Sequence, residues 1–375
     1  MKQVKAITWR TIIIMALCTG IVIFYGNIMG FANFFSTIMK TAHDLLLNTV
    51  FFIMAICVLA GALGGFMSEF GILALFNRVL APVVRLLWGL PGAASIGAVS
   101  TFISDNPAII TLAKDDNFIR YFKNHQRPAL TNFGTSFGMG LIVMAFMMSL
   151  GYFSEAAMGL AGAVFGSIIS TRLMLLTGRR VLGDDPAPAQ VQGESRDLMK
   201  YRAIRDDNRL NRLLESLLDG GKNGLDIGIQ IIPGVLVICT IVLMMTFGSG
   251  VTGYNGSAYQ GIPLLSGLGA ILHAPLEFLF GFTAPDAISF PITALGAVGA
   301  ALALVPKFLA RGIIGGNEIA VFTAIGMTWS GFLSTHIAMM DVMGFRNLTS
   351  RAILFHTTGG ISAGVFAHYL YVILA

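Results

Sequence analysis

Charged residues are scarce in this chain of 375 residues: Asp, Glu, Lys and Arg make up 11% of it, whereas soluble domains carry about 25%. Hydrophobic residues make up 55%, and the mean hydropathy is +0.77. Apolar runs of about 20 residues, long enough to cross a bilayer as a helix, recur along the sequence, and alternating strand patterns do not. Because unpaired backbone groups are costly in lipid, the sequence predicts an all-α polytopic membrane protein.

The sequence also lacks the motifs of several enzyme and cofactor classes. It has no GxxxxGK[ST] loop, no HExxH, no CxxC and no dinucleotide fingerprint. The cysteines Cys18, Cys57 and Cys239 lie in apolar segments without metal-ligand spacing, so we interpret them as buried core thiols. No basic patch alternates with aromatic residues, although the net charge is +5. We therefore expect a protein that is not an enzyme, with no catalytic residues, metal, cofactor or nucleic-acid partner.

Ten apolar segments are predicted spans: 10–31, 46–68, 91–113, 129–151, 155–177, 225–248, 260–282, 285–306, 318–340 and 352–374. Residues 69–90 are predicted to lie at the membrane interface. Residues 178–224 are dense in charge and contain the turn signal Asp184-Asp185-Pro186-Ala187-Pro188, which indicates a solvated connector. The spacing of the leucines within 198–218 predicts an amphipathic surface helix in this connector.

The positions of Lys and Arg predict the orientation. The N-terminus, the basic loop 114–127, the connector and the turn 346–351 are all basic and should lie on the cytoplasmic side. These assignments agree with one another if 91–113 enters and leaves the membrane from that side. We expect a multi-pass protein of the cytoplasmic (inner) membrane, with a cytoplasmic N-terminus and residues 10–31 retained as its first helix.

An internal repeat is the most informative feature of the sequence. Residues 86–113 have the same rhythm as the segment that starts at Phe278, and similar elements follow in both halves. The division is a helix and loop at 1–45, a first repeat at 46–177, the connector at 178–224 and a second repeat at 225–375. On the predicted topology the repeats are inverted, with broken or re-entrant helices, as in many secondary transporters. The alternative is a chance likeness between two regions rich in Gly and Ala.

Polar residues inside the predicted spans of the first half are candidates for a binding site. A charge in the bilayer costs at least about 2.5–3.5 kcal/mol, so Asp105 requires an explanation. Ser104, Asp105 and Asn106 precede Pro107, which breaks the helix and frees backbone carbonyls. The group is either a solute and ion site or a proline kink that its neighbours cap. After the next basic loop come two further candidates, Asn132 and Thr135.

The second half offers a comparable set. Asp286 and Ser289 follow Pro285 and either bind a solute or form an ordinary helix cap. Glu318 holds the position of Asn132 in the other half, and could also be a cap favoured by the helix dipole. A further candidate is Thr328, in the same helix as Glu318. Another is Glu277, four residues after His273; His273 and Glu277 form either a structural pair or a proton-sensitive pair.

The arrangement resembles the nucleoside-recognition (Gate) family of membrane proteins and, more distantly, the concentrative nucleoside transporters. The residues behind the resemblance are Asn106-Pro107-Ala108-Ile109, similar to the Asn-x-Pro-Ala-Ile of the ferrous-iron transporter gate, and the helix start Asn317-Glu318. Thr283-Ala284-Pro285-Asp286 would be the second break. Asp105 stands where that gate has a cysteine, and no Gln-Thr-Glu nucleobase motif is present. The resemblance implies two Gate-like units and a transport function.

We therefore expect a secondary transporter, coupled to protons or cations (H+ or Na+), of a small polar solute that could be nucleoside-like. The predicted solute-binding residues are Ser104, Asn106, Asn132, Thr135, Asp286, Ser289, Glu318 and Thr328. The predicted ion-coupling carboxylates are Glu277, Glu318 and Asp105. Partners would be the solute, the ion, membrane lipid and, as an open alternative, further copies of the chain. A non-transporting membrane scaffold or subunit that acts with a partner protein is the alternative function.

Overall fold

Helices make up almost all of the computed structural model, which describes residues 6–183, 198–202 and 204–375. Six of them are long and apolar enough to cross a membrane: Trp9–Met29, Phe31–Glu69, Asn124–Ser149, Phe153–Leu182, Arg209–Thr246 and Arg346–Leu374. No strand occurs within these ranges. The prediction of an all-α polytopic membrane protein is confirmed. The expected turn Asp184–Pro188 lies outside the described residues.

Two sets of helices follow the same order on either side of the connector. Each set has a long helix, then one or two shorter helices, a helical hairpin, a helix broken in its middle and a closing helix. The first set is Phe31–Glu69, Ile72–Leu87, Ala94–Ile103 with Pro107–Ala113, Arg127–Thr135 with Gly140–Ser149, and Phe153–Leu182. The second set is Arg209–Thr246, Leu264–Ile271 with His273–Phe280, Ser289–Gly296 with Val298–Leu302, Gly316–Trp329 with Phe332–Val342, and Thr349–Leu374.

We refer to the members of each set as the first or second long helix, hairpin, broken helix and closing helix, and to Ile72–Leu87 as the interfacial helix. Trp9–Met29 precedes both sets. The short connecting helices are Asp116–Ile119, Asn124–Gln126, Pro285–Ile288, Val305–Ala310 and Arg346–Leu348. Each long helix also contains a π-helical segment, Leu46–Val50 and Gly234–Cys239 respectively.

Glycines bring the two long helices into backbone contact. A Cβ atom on Gly220 would lie 2.3 Å from the Gly61 carbonyl oxygen, and one on Gly224 would lie 2.1 Å from that of Cys57. Small residues allow membrane helices to approach this closely. Since residue numbers rise along one helix as they fall along the other, the two run antiparallel. The prediction of inverted repeats with broken or re-entrant helices is confirmed.

Both long helices are longer than the sequence pattern predicted. The first begins at Phe31, so the loop expected before residue 46 is helical and the boundary placed there falls inside a helix. The second begins at Arg209, and the surface helix expected at 198–218 is in fact its first turns. The polar residues in the first turns of this helix form ion pairs with the first long helix: Arg212 Nε lies 2.7 Å from Glu69 Oε1. Cys18 is exposed rather than part of a buried core.

The hairpins enter the bundle without crossing it. The first turns back at Ser104–Asn106, as expected for 91–113. Neither of the predicted spans 260–282 and 285–306 is one continuous helix: His273–Phe280 and Pro285–Gly296 are short helices that meet at 74°. Gly281 separates them with φ +67°, a left-handed conformation that glycine adopts easily.

The two ends of the bundle differ in charge. One end gathers the start of Trp9–Met29, the loop 114–126, the start of the second long helix and Arg346. We call it the basic end. The other end, which we call the opposite end, carries the segment 247–263 and the connection 311–315 between the second hairpin and the second broken helix.

We predict that Gly220→Ala destabilises the protein and Gly221→Ala does not. The added methyl group at residue 220 meets a backbone oxygen that cannot move aside, whereas at residue 221 the nearest atom is 3.6 Å away. The expected loss is about 1–3 kcal/mol of unfolding free energy, as for other overpacked contacts. Thermal unfolding of the two variants in the same detergent measures the difference. Equal midpoints for both would show that the long helices are not in backbone contact.

Candidate functional site

Four interruptions of helices meet at one place in the bundle. They are the turns of the two hairpins, at Ser104–Asn106 and Gly296–Ala297, and the breaks of the two broken helices, at Ser136–Met139 and Ser330–Gly331. The Asn106 side-chain amide donates to the Ser330 carbonyl oxygen. The Gly331 backbone N–H donates to the Ala294 carbonyl oxygen at 3.3 Å. Each half of the chain therefore contributes one turn and one break to this junction.

Both broken helices resume after a residue in the left-handed conformation. These residues are Met139, with φ +54°, and Gly331, with φ +61°. Glycine accepts this conformation readily, whereas a side chain such as that of Met139 costs about 1–2 kcal/mol. Such strained positions concentrate at functional sites. Each broken helix therefore begins a new helix at the junction.

A cavity of about 730 Å³ leads to the junction from the basic end. It lies between the two long helices and the first hairpin. Glu69, Arg205 and Asp219 line it at the basic end, where Arg205 Nη2 lies 2.7 Å from Asp219 Oδ2. Ser104 and Asp105 of the hairpin turn line its inner part.

A second cavity, of about 240 Å³, continues along the junction itself. It shares Asp105, Pro107, Ile227 and Gln230 with the first cavity. The remaining residues of its lining come from all four interruptions and include Asn106, Met139, Gly296, Ala297, Ser330, Gly331, Ser334 and Thr335. The two cavities therefore adjoin at these four residues, and we refer to them together as the path from the basic end to the junction.

A polar stripe on the second long helix faces this path. Its members, which recur at helical spacing, are Asp219, Asn223, Asp226 and Gln230. The connector predicted at 178–224 included Asp219 and Asn223, and Asp226 and Gln230 were not among the residues predicted for the site in the span that follows it. The signal was present: Asp226 and Gln230 interrupt an otherwise apolar stretch at positions that share a face with Asn223.

The inner path is acidic. Asp105 and Asp226 line it, and Arg205, in the ion-pair group near the basic end, is the one basic residue among the described residues of its lining. The Asp105 carboxylate accepts a hydrogen bond from the Asn106 backbone N–H at 2.7 Å. Asn106 is 3% exposed, and its side-chain oxygen lacks a hydrogen-bond partner among the described residues. These oxygens match the ligands that hard cations prefer.

Three of the predicted solute-binding residues lie instead in a packed polar network between the broken and closing helices. The Asn132 side-chain amide donates to Ser170 Oγ at 2.8 Å, and Thr135 Oγ1 lies 3.4 Å from His356 Nε2. His356 Nε2 in turn lies 2.6 Å from the Thr328 carbonyl oxygen. All are fully buried and line neither cavity. Their hydrogen bonds join the two halves of the chain.

Two further candidates occupy the start of the second hairpin. Ser289 Oγ is 2.8 Å from Thr246 Oγ1, and Asp286 Oδ1 accepts a hydrogen bond from Ser266 Oγ at 2.6 Å. Both contacts hold the hairpin against its neighbours near the opposite end. Neither residue reaches the junction, because Asp286 and Ser289 lie ten and seven positions before the turn at Gly296.

Glu318 and Glu277 are also remote from the junction. The Glu318 carboxylate accepts from the Gly315 backbone N–H at 2.9 Å, so it caps the second broken helix. It lies twelve positions before Ser330, about 18 Å along a helix. Asn106 and Glu318, both predicted to bind the solute, therefore do not lie together. Glu277 is exposed, 3.6 Å from His273. Of the predicted residues, the structure brings Ser104, Asp105 and Asn106 together at the cavity.

A separate polar group closes the opposite end. Lys307 Nζ lies 2.7 Å from Asp44 Oδ2, and the Tyr259 hydroxyl donates to the same carboxylate. Burial raises the pKa of Tyr259, and its hydrogen bond to Asp44 raises it further. The phenol therefore stays protonated and remains a donor. This group ties the end of the second hairpin to the first long helix.

No family model matches the sequence. An uncharacterized protein of Alkalihalophilus pseudofirmus is 27% identical over 221 residues, which cover 55% of this chain and 46% of that protein. The chain thus spans about half the length of the curated relative that it matches.

Solved structures of the concentrative nucleoside transporter CNTnw resemble the whole fold. An outward-facing structure matches with a TM-score of 0.57 and 15% identity over 97% of this chain and 85% of that one. An inward-facing, substrate-bound structure matches with a TM-score of 0.55 and 14% identity, covering 98% and 86%. At this level of identity the likeness concerns the fold. The chain has the fold of these transporter structures; the likeness to the ferrous-iron gate rests on sequence motifs alone.

Proposed function

We propose that this protein is a cation-coupled secondary transporter of a small polar solute, which binds where the four helix interruptions meet. The observation that carries the proposal is the pair of adjoining cavities, lined in part by polar residues, that reach from the basic end to that junction. A structural scaffold has no need of such a path, because burying polar residues at this depth costs free energy.

The proposed binding site follows from the lining of the path. Asp105 and the unpartnered Asn106 side-chain oxygen are the candidate cation ligands. The solute would lie beside them, with Ser104, Ser334 and Gln230 in place of its hydration shell. Nucleosides are the first solutes to test, because the structural neighbours are nucleoside transporters. Asp105 is preferred to Glu277 and Glu318 as the coupling carboxylate because it alone of the three lines the path.

We infer that the structure represents a state open at the basic end. The charges there flank the larger cavity, whereas the contacts of Asn106 with Ser330 and of Gly331 with Ala294 close the junction toward the opposite end. We assign the basic end to the cytoplasmic side, since Lys and Arg concentrate there. Release of the junction contacts would open the site to the other side, as alternating access requires.

Water access to the path is testable with cysteine labelling. In a Cys18→Ser background, we expect Asn223→Cys to react with a membrane-impermeant maleimide added at the basic end. Leu225→Cys is the matched control, because it lies on the same helix outside the cavity lining. We expect it to be protected by lipid. Equal reactivity of the two positions would contradict a water-filled path at this helix face.

The coupling role is testable in proteoliposomes. We expect tritiated uridine or adenosine, within a panel of amino acids and organic acids, to accumulate when a Na+ or H+ gradient is imposed. Asp105→Asn should lower uptake roughly 10- to 100-fold, the loss expected when a charge-assisted contact worth about 1.5–3 kcal/mol is removed. Glu277→Gln is the control and should leave uptake unchanged.

Two results would contradict the proposal. One is uptake that Asp105→Asn leaves unaltered. The other is the absence of gradient-driven uptake across the panel together with stable copurification of a partner protein, which would favour the scaffold function.

A further inference from the structure

A third cavity lies beside the solute path and shares the lining residue Ile103 with it. It is a groove of about 310 Å³ near the basic end, between the interfacial helix, the first hairpin and the first broken helix. Its lining is apolar except for Ser95, whose hydroxyl donates to the Asn77 carbonyl oxygen at 3.3 Å. The lining includes Met67, Phe76, Leu80, Val84, Trp88 and Ala98.

The groove suits an apolar occupant that comes from the bilayer. An apolar cavity is not filled favourably by water, because water finds no hydrogen-bond partners there. Phe76 and Leu80 line the groove and are 45% and 37% exposed, so it is open along the interfacial helix. The adjoining face of this helix carries Leu75, Val79 and Leu86, all exposed. A helix with this face lies in the membrane surface with its leucines in lipid.

The other side of the same helix is basic. Arg78 and Arg85 are exposed and seven residues apart, two helical turns, so they share a face. At 100° per residue, that face lies about 90° around the helix from Leu75 and Val79 and opposite Phe76 and Leu80, so arginines at the level of the lipid head groups leave the groove on the hydrocarbon side. The guanidinium of Arg172 donates to the carbonyl oxygens of Leu86 and Leu87 and so fixes the end of the helix. Basic residues at this level attract anionic lipids.

We propose that the groove binds an acyl chain of an anionic phospholipid, whose head group lies against Arg78 and Arg85. The occupant would contact the first hairpin through Phe102 and Ile103. Ile103 also lines the solute cavity, so one side chain separates lipid from solute path. The binding itself does not depend on the proposed transport function.

Tryptophan fluorescence tests the proposal. Trp88 lines the groove and is 6% exposed, whereas Trp329 is buried elsewhere and Trp9 is 68% exposed. Versions of the full chain that keep one tryptophan each, the others replaced by Phe, are reconstituted with phosphatidylglycerol brominated on its acyl chains. We expect the brominated lipid to quench the fluorescence of Trp88 nearly as strongly as that of the exposed Trp9. We expect it to quench the fluorescence of Trp329 only weakly.

Two kinds of variant make the test specific. Ala98→Phe fills the groove and should remove most of the quenching of Trp88, whereas Leu75→Phe, on the lipid-facing side, should leave it unchanged. Arg78→Gln and Arg85→Gln keep the groove, and each should reduce the preference for brominated phosphatidylglycerol over brominated phosphatidylcholine by roughly fivefold. The arginine variants keep the proposal testable if Ala98→Phe does not fold.

The proposal is overturned if Trp88 is quenched no more than Trp329, which would mean that protein rather than lipid covers the groove. It is also overturned if the two brominated lipids quench Trp88 equally in the unmodified groove, because the head group would then not be recognised.

Discussion

A helix that is interrupted inside a bilayer leaves backbone N–H and C=O groups without partners, and each such group costs several kcal/mol in hydrocarbon. This protein places four interruptions at one point. There they satisfy one another in part: the Asn106 amide reaches the Ser330 carbonyl, and the Gly331 N–H reaches Ala294. Residues of all four interruptions also line the second cavity. The rest of the fold is arranged so that both halves of the chain meet at this junction.

Two kinds of packing hold the junction in place. On one side the long helices touch through backbone at Gly61 and Gly220, which fixes the wall that carries the polar stripe. On the other side the closing helices pack equally closely, since a Cβ atom on Gly166 would lie 2.2 Å from the Gly359 carbonyl oxygen. The buried network around Asn132 and His356 then joins the broken helices to them. The solute path lies between the two long helices on one side and the packed broken and closing helices on the other.

The sequence was sufficient to predict the membrane class, the inverted repeats and the re-entrant turn at Ser104–Asn106, because hydropathy and proline act locally. It was insufficient for the second hairpin, where an apolar run of spanning length turns back at Gly296, and for the start of the second long helix at Arg209. Which polar residues face the path depends on helix rotation and packing. The sequence therefore did not distinguish Asn132 and Thr328, which are buried in a packed network, from Asn106, which lines the path. For the same reason it did not identify Asp226 and Gln230 as residues of the path.

Alternating exposure of the hairpin turn tests the central claim most directly, and it needs no knowledge of the solute. The measurement is the reactivity of Ser104→Cys, in a Cys18→Ser background, toward an impermeant reagent supplied to one face of sealed vesicles at a time, with and without Na+ or a pH gradient. A transporter predicts that residue 104 reacts from either face, in proportions that the ion shifts. Reaction from one face alone under every condition would contradict the account.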